Sequence, residues 1–266
     1  MMSNPRRITD RIYALHLGVG VLPWGSLAYA VLHPRSGRVL LIDSGGPGNG
    51  RRLARMLSQI GRSLADLAAV ALTHWHPDHS GSIAELLDAA PQKVTVYGSE
   101  HDLDAYLAQR RRPLRSRPLF GLPGGLVVHL APGRVSDRQD ISYVRLDRNA
   151  GEELMAEWGL SAILTPGHTP GHMAYYLPAD RALFCGDALK VLGKDVYTLL
   201  FHDDLQQMDL TGRQLLERKF DWLLPGHWSP IRVCGLRTQP RPYIRLIEWL
   251  GGLCYQATVE TGKRDG

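Results

Sequence analysis

The chain has 266 residues, 44% of them hydrophobic and 21% charged, with a formal net charge of +5. These values exclude a disordered or low-complexity chain, and the length fits one layered α/β domain, so a single domain over residues 1–266 is expected. Scattered Cys185, Cys234 and Cys254 give no disulfide framework, no run approaches the roughly 20 apolar residues of a membrane span, and no apolar leader follows Arg6-Arg7, so a cytoplasmic protein without a membrane partner is expected.

In chain order, Ala28 to Leu32 and Arg38 to Ile42 are apolar extended runs about the turn-like His33-Pro34-Arg35-Ser36-Gly37, which predicts a β-hairpin delivering Asp43 at a strand end. Gly50 to Ile60 carries Leu53, Met56, Leu57 and Ile60 at helical spacing, and Leu67 to Leu72 is a short apolar run expected of a buried strand that stops at His74. A helix over Ile83 to Ala90 and a strand over Lys93 to Tyr97 follow. Residues 100–135 differ in character: a helix over Glu100 to Arg111, then the Pro- and Gly-rich Pro113 to Gly125, together reading as an inserted flap able to overhang a site. Arg110, Arg111, Arg112, Arg115 and Arg117 cluster there, but no aromatic residue is interleaved to stack bases, so nucleic acid is not the expected partner. Beyond it, strands are predicted over Ile141 to Leu146, Leu160 to Leu164, Ala174 to Leu177 and Ala182 to Phe184, with turns at Asp147 to Gly151 and Pro178 to Asp180. A helix over Leu205 to Phe220 leads to Trp222-Leu223-Leu224, and Tyr243 to Cys254 reads as a last amphipathic helix.

The segment His74-Trp75-His76-Pro77-Asp78-His79 places four ligand-type side chains in six positions. In extended chain, side chains two apart point the same way, so His74 and His76 converge on one cation, while Asp78 and His79 reach a second as the chain turns. Three other residues share the same placement, after a predicted strand and beside glycine: His168 in Pro166-Gly167-His168, Asp187 in Cys185-Gly186-Asp187, and His227 in Pro225-Gly226-His227.

This ordered set, with Asp43 in Ile42-Asp43-Ser44-Gly45 upstream, resembles the metallo-β-lactamase superfamily of hydrolases over about residues 12–230. The resemblance implies a four-layer αββα sandwich with the site at one edge. It implies that His74, His76 and His168 hold one metal, that Asp78, His79 and His227 hold the other, and that Asp187 bridges them. Two divalent ions about 3.5–4 Å apart lower the pKa of a shared water and so yield hydroxide at neutral pH, with one ion polarising the scissile carbonyl or phosphoryl group. Asp78 and Asp187 are then the catalytic carboxylates, Asp78 orienting or shuttling the proton. Asp43 supports the ligand loop as partner of a ligating imidazole, and His172, the second histidine of its turn, is structural. Zinc suits the set, and iron, manganese and cobalt fit the same ligands.

A bridging Asp187 disfavours β-lactam hydrolysis, and the forty-residue interval to His227 is similar to that of glyoxalase II and the lactonases. The expected reaction is hydrolysis of a small-molecule ester, lactone or thioester. A phosphodiester nuclease and a mononuclear iron enzyme resembling persulfide dioxygenases, using His74, His168 and Asp187, are the alternatives. Lys190, three residues after Asp187, could contact an anionic or carbonyl oxygen or lie on the surface; Lys194 and Tyr197 are similar to the substrate-binding stretch of glyoxalase II, at different spacing. Trp75, Trp228 and Tyr197 are candidate pocket walls or plain packing residues, and a homodimer is compatible with the sequence.

Overall fold

Along Leu27–Leu32 successive side chains enter different cores: Ala28 and Ala30 join one buried cluster, and Leu27, Tyr29 and Val31 join another. The strand is therefore covered on both faces, the condition for an inner layer of a stacked fold. The computed structural model describes residues 4–17, 25–110, 112–116, 127–130, 133–192, 195–198, 201–233, 249–250 and 253–254.

The first half runs β1 (Arg6–Arg7), β2 (Ile12–His16), β3 (Leu27–Leu32), β4 (Val39–Ile42), α1 (Gly50–Gln59), β5 (Leu67–Ala71), α2 (Pro77–Ser80), α3 (Ile83–Ala89), β6 (Thr95–Gly98), α4 (Glu100–Leu107), β7 (Arg112–Ser116), β8 (Val127–Leu130) and β9 (Ser142–Arg145). The second runs α5 (Arg148–Trp158), β10 (Ser161–Leu164), β11 (Met173–Leu177), β12 (Ala182–Gly186), β13 (Lys190–Leu192), β14 (Asp195–Tyr197), β15 (Phe201–His202), α6 (Leu205–Leu216), β16 (Trp222–Pro225), β17 (Ile231–Arg232), β18 (Trp249–Leu250) and β19 (Leu253–Cys254).

One sheet has the order β1-β2-β3-β4-β5-β6-β9 and the other β10-β11-β12-β16-β17. Three buried clusters separate four layers. Leu53, Met56 and Leu57 of α1, Leu86 of α3 and Tyr106 of α4 pack on the outer face of the first sheet. Tyr29 and Ile42 meet Tyr175 and Phe184 between the sheets, and Leu215 of α6 packs with Leu183 and Leu223 on the outer face of the second. Helices, sheet, sheet, helix is the expected αββα sandwich.

The structure departs from the sequence expectations in several places. β1 and β2 extend the first sheet, where no strands are expected from the sequence. The helix expected over Glu100 to Arg111 stops at Leu107, and Arg112–Ser116 is strand instead. The insertion is anchored, because Leu103 and Tyr106 are buried in the first core and β7 pairs with both β8 and β15. Asp147 to Gly151 is not a turn but the start of α5: the Asp147 carboxylate accepts the Ala150 N–H at 2.9 Å, and Leu154 and Trp158, one helical turn apart, are buried between the sheets. Within the expected C-terminal helix, Trp249–Leu250 and Leu253–Cys254 pair as antiparallel strands; Gly251-Gly252 between them is poor helix-forming sequence, and the rest of that span lies outside the described residues.

Candidate metal centre

The candidate site forms where strands end. Asp43 follows β4 and His74 follows β5, and these two strands run parallel, so their carboxyl ends share one edge of the sheet. Asp187 and His227 follow β12 and β16, the parallel pair of the second sheet, and His168 lies in the loop between β10 and β11. In the motif, Trp75 is buried in the first core at 1% exposure with its ring edge-on to that of His76, 4.6 Å between centres, so it is a packing residue rather than a pocket wall. The chain then turns into α2 at Pro77, which presents Asp78 and His79.

All seven candidate ligands converge. His168 Nε2 lies 3.2 Å from His74 Nε2 and 2.9 Å from His76 Nδ1. His227 Nε2 lies 3.3 Å from His79 Nε2, 3.2 Å from Asp78 Oδ2 and 3.3 Å from Asp187 Oδ2. Asp187 stands between the groups, with Oδ1 3.5 Å from His79 Nε2 and Oδ2 3.5 Å from His168 Nε2. The donor atoms form three compact sets: His74, His76 and His168; His74, His79 and Asp187; and Asp78, His79 and His227.

Hydrogen bonds fix which imidazole nitrogens carry protons. Thr73 Oγ1 donates to Asp43 Oδ2 at 2.7 Å, so its lone pair receives His74 Nδ1–H at 3.0 Å. His168 Nδ1–H donates to the Phe201 carbonyl at 2.8 Å, and His79 Nδ1–H donates to Asp43 Oδ2 at 2.8 Å. Neutral His74 and His168 therefore turn bare Nε2 lone pairs toward each other at 3.2 Å. A cation between them resolves that repulsion, so the donor set fits a metal ion.

The electrostatics divide the site. Burial holds His74 and His76 well below the ordinary imidazole pKa, with neighbouring histidines adding to the effect, and burial also lowers His168. Neutral imidazole is the ligating form. At His79 and His227 burial acts the same way but is outweighed: Asp187, Asp78 and Asp43 raise His79, and Asp187 and Asp78 push His227 up to about 10. Against their own desolvation, Asp78 and Asp187 are held low by the charges of His79 and His227. A pocket rich in ionised carboxylate is the electrostatic setting for a dication.

Asp43, expected to partner a ligating imidazole, is hydrogen-bonded to His79, and His172, expected to be structural, holds the main chain of Asp187. Asp43, 2% exposed, also accepts Thr73 N–H at 2.8 Å through Oδ1. His172 Nε2 accepts the Asp187 N–H at 3.0 Å while Nδ1–H donates to Thr165 Oγ1 at 2.7 Å, and burial lowers its pKa to about 3. Two glycines are required by close approach: a Cβ at Gly226 would meet Asp187 Oδ1 at 2.5 Å, and one at Gly186, whose φ is +49°, would meet His172 Nε2 at 2.7 Å.

Sequence reasoning missed Asp102 on α4. Its buried carboxylate accepts Trp75 N–H at 3.2 Å and Thr169 Oγ1–H at 2.5 Å through Oδ2, and Gly171 N–H at 2.9 Å through Oδ1. It thus ties the 74–79 loop to the loop carrying His168. Of the expected substrate contacts, Lys190 is buried near the site with Nζ 5.1 Å from the centre of the Trp228 ring. Lys194 lies outside the described residues, as does the side chain of Tyr197 on β14.

A family model described as the metallo-beta-lactamase superfamily matches residues 21–227. The chain belongs to this superfamily, most of whose members are metal-dependent hydrolases. Within it, the chain is 32% identical over 152 residues to the probable metallo-hydrolase YflN of Bacillus subtilis (strain 168), covering 56% of this chain and 55% of that protein. It is 33% identical over 135 residues to a hydroxyacylglutathione hydrolase of Synechococcus sp. (strain JA-3-3Ab), covering 50% and 39%. The chain spans about half the length of the curated relatives it matches. The superfamily structure of TTHA1623 in a di-iron-bound form superimposes with a TM-score of 0.56 at 27% identity, covering 85% of this chain and 98% of that one. Among the described residues, no helix is long and apolar enough to cross a membrane.

Proposed function

We propose that the chain is a single-domain, dinuclear metal-dependent hydrolase that cleaves an ester, lactone or thioester. His74, His76 and His168 would hold one ion, Asp78, His79 and His227 the other, with Asp187 shared. The observation that carries this reading is that Asp187 Oδ2 lies 3.5 Å from His168 Nε2 of one donor set and 3.3 Å from His227 Nε2 of the other, with the lone pairs of His74 and His168 facing each other at 3.2 Å. When bound, two divalent ions supply Lewis acidity for the scissile carbonyl and acidify a water. Zinc suits the imidazole-rich set; likeness to a di-iron-bound protein keeps iron open.

The chain's own groups do the rest. Asp78, with 29% of its side chain exposed against 4% for Asp187, is the more open of the two carboxylates and would orient or shuttle the proton. Asp187, buried at 3% exposure, fixes the spacing of the two halves, and His172 fixes Asp187 through its N–H. Asp43 orients His79 and, through Thr73, His74, which keeps their Nε2 atoms directed into the site.

Purified protein loaded with zinc or iron, its occupancy measured by mass spectrometry, should turn over members of an ester, lactone and thioester panel. A fully occupied protein that leaves the whole panel untouched overturns the reading. Oxygen uptake with thiol persulfides would assign an oxygenase in its place.

A further inference from the structure

Four large hydrophobic side chains are exposed among the described residues: Met155, Leu164, Leu210 and Trp228. Trp228 directly follows the candidate ligand His227, and their ring centres are 5.7 Å apart. It is 46% exposed, and its φ is +69°, the left-handed region that a bulky side chain avoids. Asp43, another of the four non-glycine residues with positive φ among the described residues, serves the same site. An indole held in strained backbone and left facing solvent gains little from packing. Strain of that kind concentrates at ligand-binding sites, where the surrounding structure enforces it. Here the preceding backbone is pinned, His227 by a bridge to Ser26 and the Gly226 carbonyl by the Leu27 N–H at 2.7 Å, and the ammonium of Lys190, 7% exposed, sits over the ring at 5.1 Å in a cation–π contact.

We propose that Trp228 is the acyl-recognition platform of this site: its indole, clamped by Lys190, receives the apolar group attached to the scissile carbonyl. This rests on the hydrolase reading above and deepens it, because it selects acyl esters, lactones and thioesters bearing a medium-length alkyl or an aryl group over acetyl compounds. Burial of apolar surface against a fixed indole supplies the preference, and its rigidity limits the entropy lost on binding.

The test compares metal-loaded wild type with Trp228→Phe and Trp228→Gly, each checked for metal content. Hydrolysis of p-nitrophenyl acetate, butyrate, decanoate and benzoate gives kcat and KM, and calorimetry measures binding of acetate, decanoate and benzoate as product carboxylates. The expected result is that Trp228→Gly lowers the decanoate-over-acetate and benzoate-over-acetate ratios of kcat/KM by at least about tenfold, mainly through KM, while Trp228→Phe keeps most of the preference. Glycine adopts positive φ freely, so Trp228→Gly should melt at the wild-type temperature or above it. A purely structural tryptophan would instead lower the melting temperature and depress all substrates alike. An unchanged chain-length profile overturns the platform, as does a change of oligomeric state with the profile intact, which would make the indole an interface residue. If no ester is turned over and the lactone and thioester panel is untouched as well, the hydrolase reading fails by itself. The carboxylate series still decides the platform: decanoate must bind wild type more tightly than Trp228→Gly, and equal affinities overturn it.

Discussion

His168 directs Nδ1–H to the main-chain carbonyl of Phe201 at 2.8 Å. A candidate ligand is thereby aimed by a strand whose residues also pair with the insertion, Phe201 opposite Ser116 and His202 opposite Arg115. The link is reciprocal, since the N–H groups of Asp203 and Asp204 donate to the Gly167 carbonyl at 2.8 and 2.9 Å. The insertion and the metal centre therefore share one hydrogen-bonded unit.

That arrangement predicts a coupled response to metal. Seating an ion against His168 Nε2 should hold the imidazole still, strengthen its bond to Phe201 and reduce local opening of β15. Amide hydrogen exchange at Asp203 and Asp204 and across Arg112–Ser116 should slow together on metal loading. Slowing confined to the 74–79 and 165–172 loops would show that the insertion is independent of the centre.

Asp102 gives a sharper test of how the two ligand loops are joined. Asp102→Ala strands three donors, the N–H groups of Trp75 and Gly171 and the hydroxyl of Thr169. Each buried donor left without a partner costs about 1–3 kcal/mol before relaxation, so a lower melting temperature is expected. Metal affinity should fall as well, by roughly 10–100-fold, the usual effect of losing a group that supports ligands. Asp102→Asn retains one acceptor oxygen and should fall between. Calorimetric metal titration checks both, and unchanged affinity in the alanine variant would remove Asp102 from the site.

What was legible in the sequence follows from this contrast. His74 to His79 could be read because metal chemistry demands particular side chains close together in the chain, and the apolar runs of β3 to β6 could be read because buried parallel strands need them. Asp102 could not: an acidic residue in the first turn of a helix has an ordinary explanation in the helix dipole, and its partners Thr169 and Gly171 are brought to it only by the tertiary fold. Residues 147–151 misled for a local reason, since Asp, Asn and Gly together favour turns, and the burial of Leu154 and Trp158 outweighed that preference. Sequence alone leaves Trp228 as either a pocket wall or a packing residue. Its φ and exposure exist only in three dimensions.

Asp43 is predicted to matter through charge rather than shape. Its φ is +60°, a conformation asparagine also tolerates, so Asp43→Asn should keep the backbone. The variant loses the negative charge, and where the carboxylate accepts Thr73 Oγ1–H and His79 Nδ1–H through Oδ2 and Thr73 N–H through Oδ1, an amide offers one acceptor oxygen and turns an NH2 group toward the remaining donor. An expected loss of roughly 10–100-fold in metal affinity or kcat, with the far-ultraviolet circular dichroism unchanged, would fit that role. Wild-type metal binding in Asp43→Asn would reduce Asp43 to a turn residue.

Two glycine-to-alanine substitutions should act in opposite directions. Gly151 lies within α5, and a methyl added there would meet open space, so Gly151→Ala should stabilise the protein by about 0.5–1 kcal/mol through the better helix propensity of alanine. At Gly226 the added methyl would lie 2.5 Å from Asp187 Oδ1 and 2.6 Å from His79 Cε1. A methyl has no alternative rotamer, so these two side chains must move. His79 belongs to the half of the site formed with Asp78 and His227 and Asp187 is shared, so that half has two displaced groups, whereas in the other His74, His76 and His168 are untouched by the clash. Gly226→Ala should therefore weaken one ion selectively, and its metal content should drop from two per chain toward one while the remaining ion stays bound through dialysis. Equal loss of both ions, or none, would show that the two halves do not separate at Asp187 in this way.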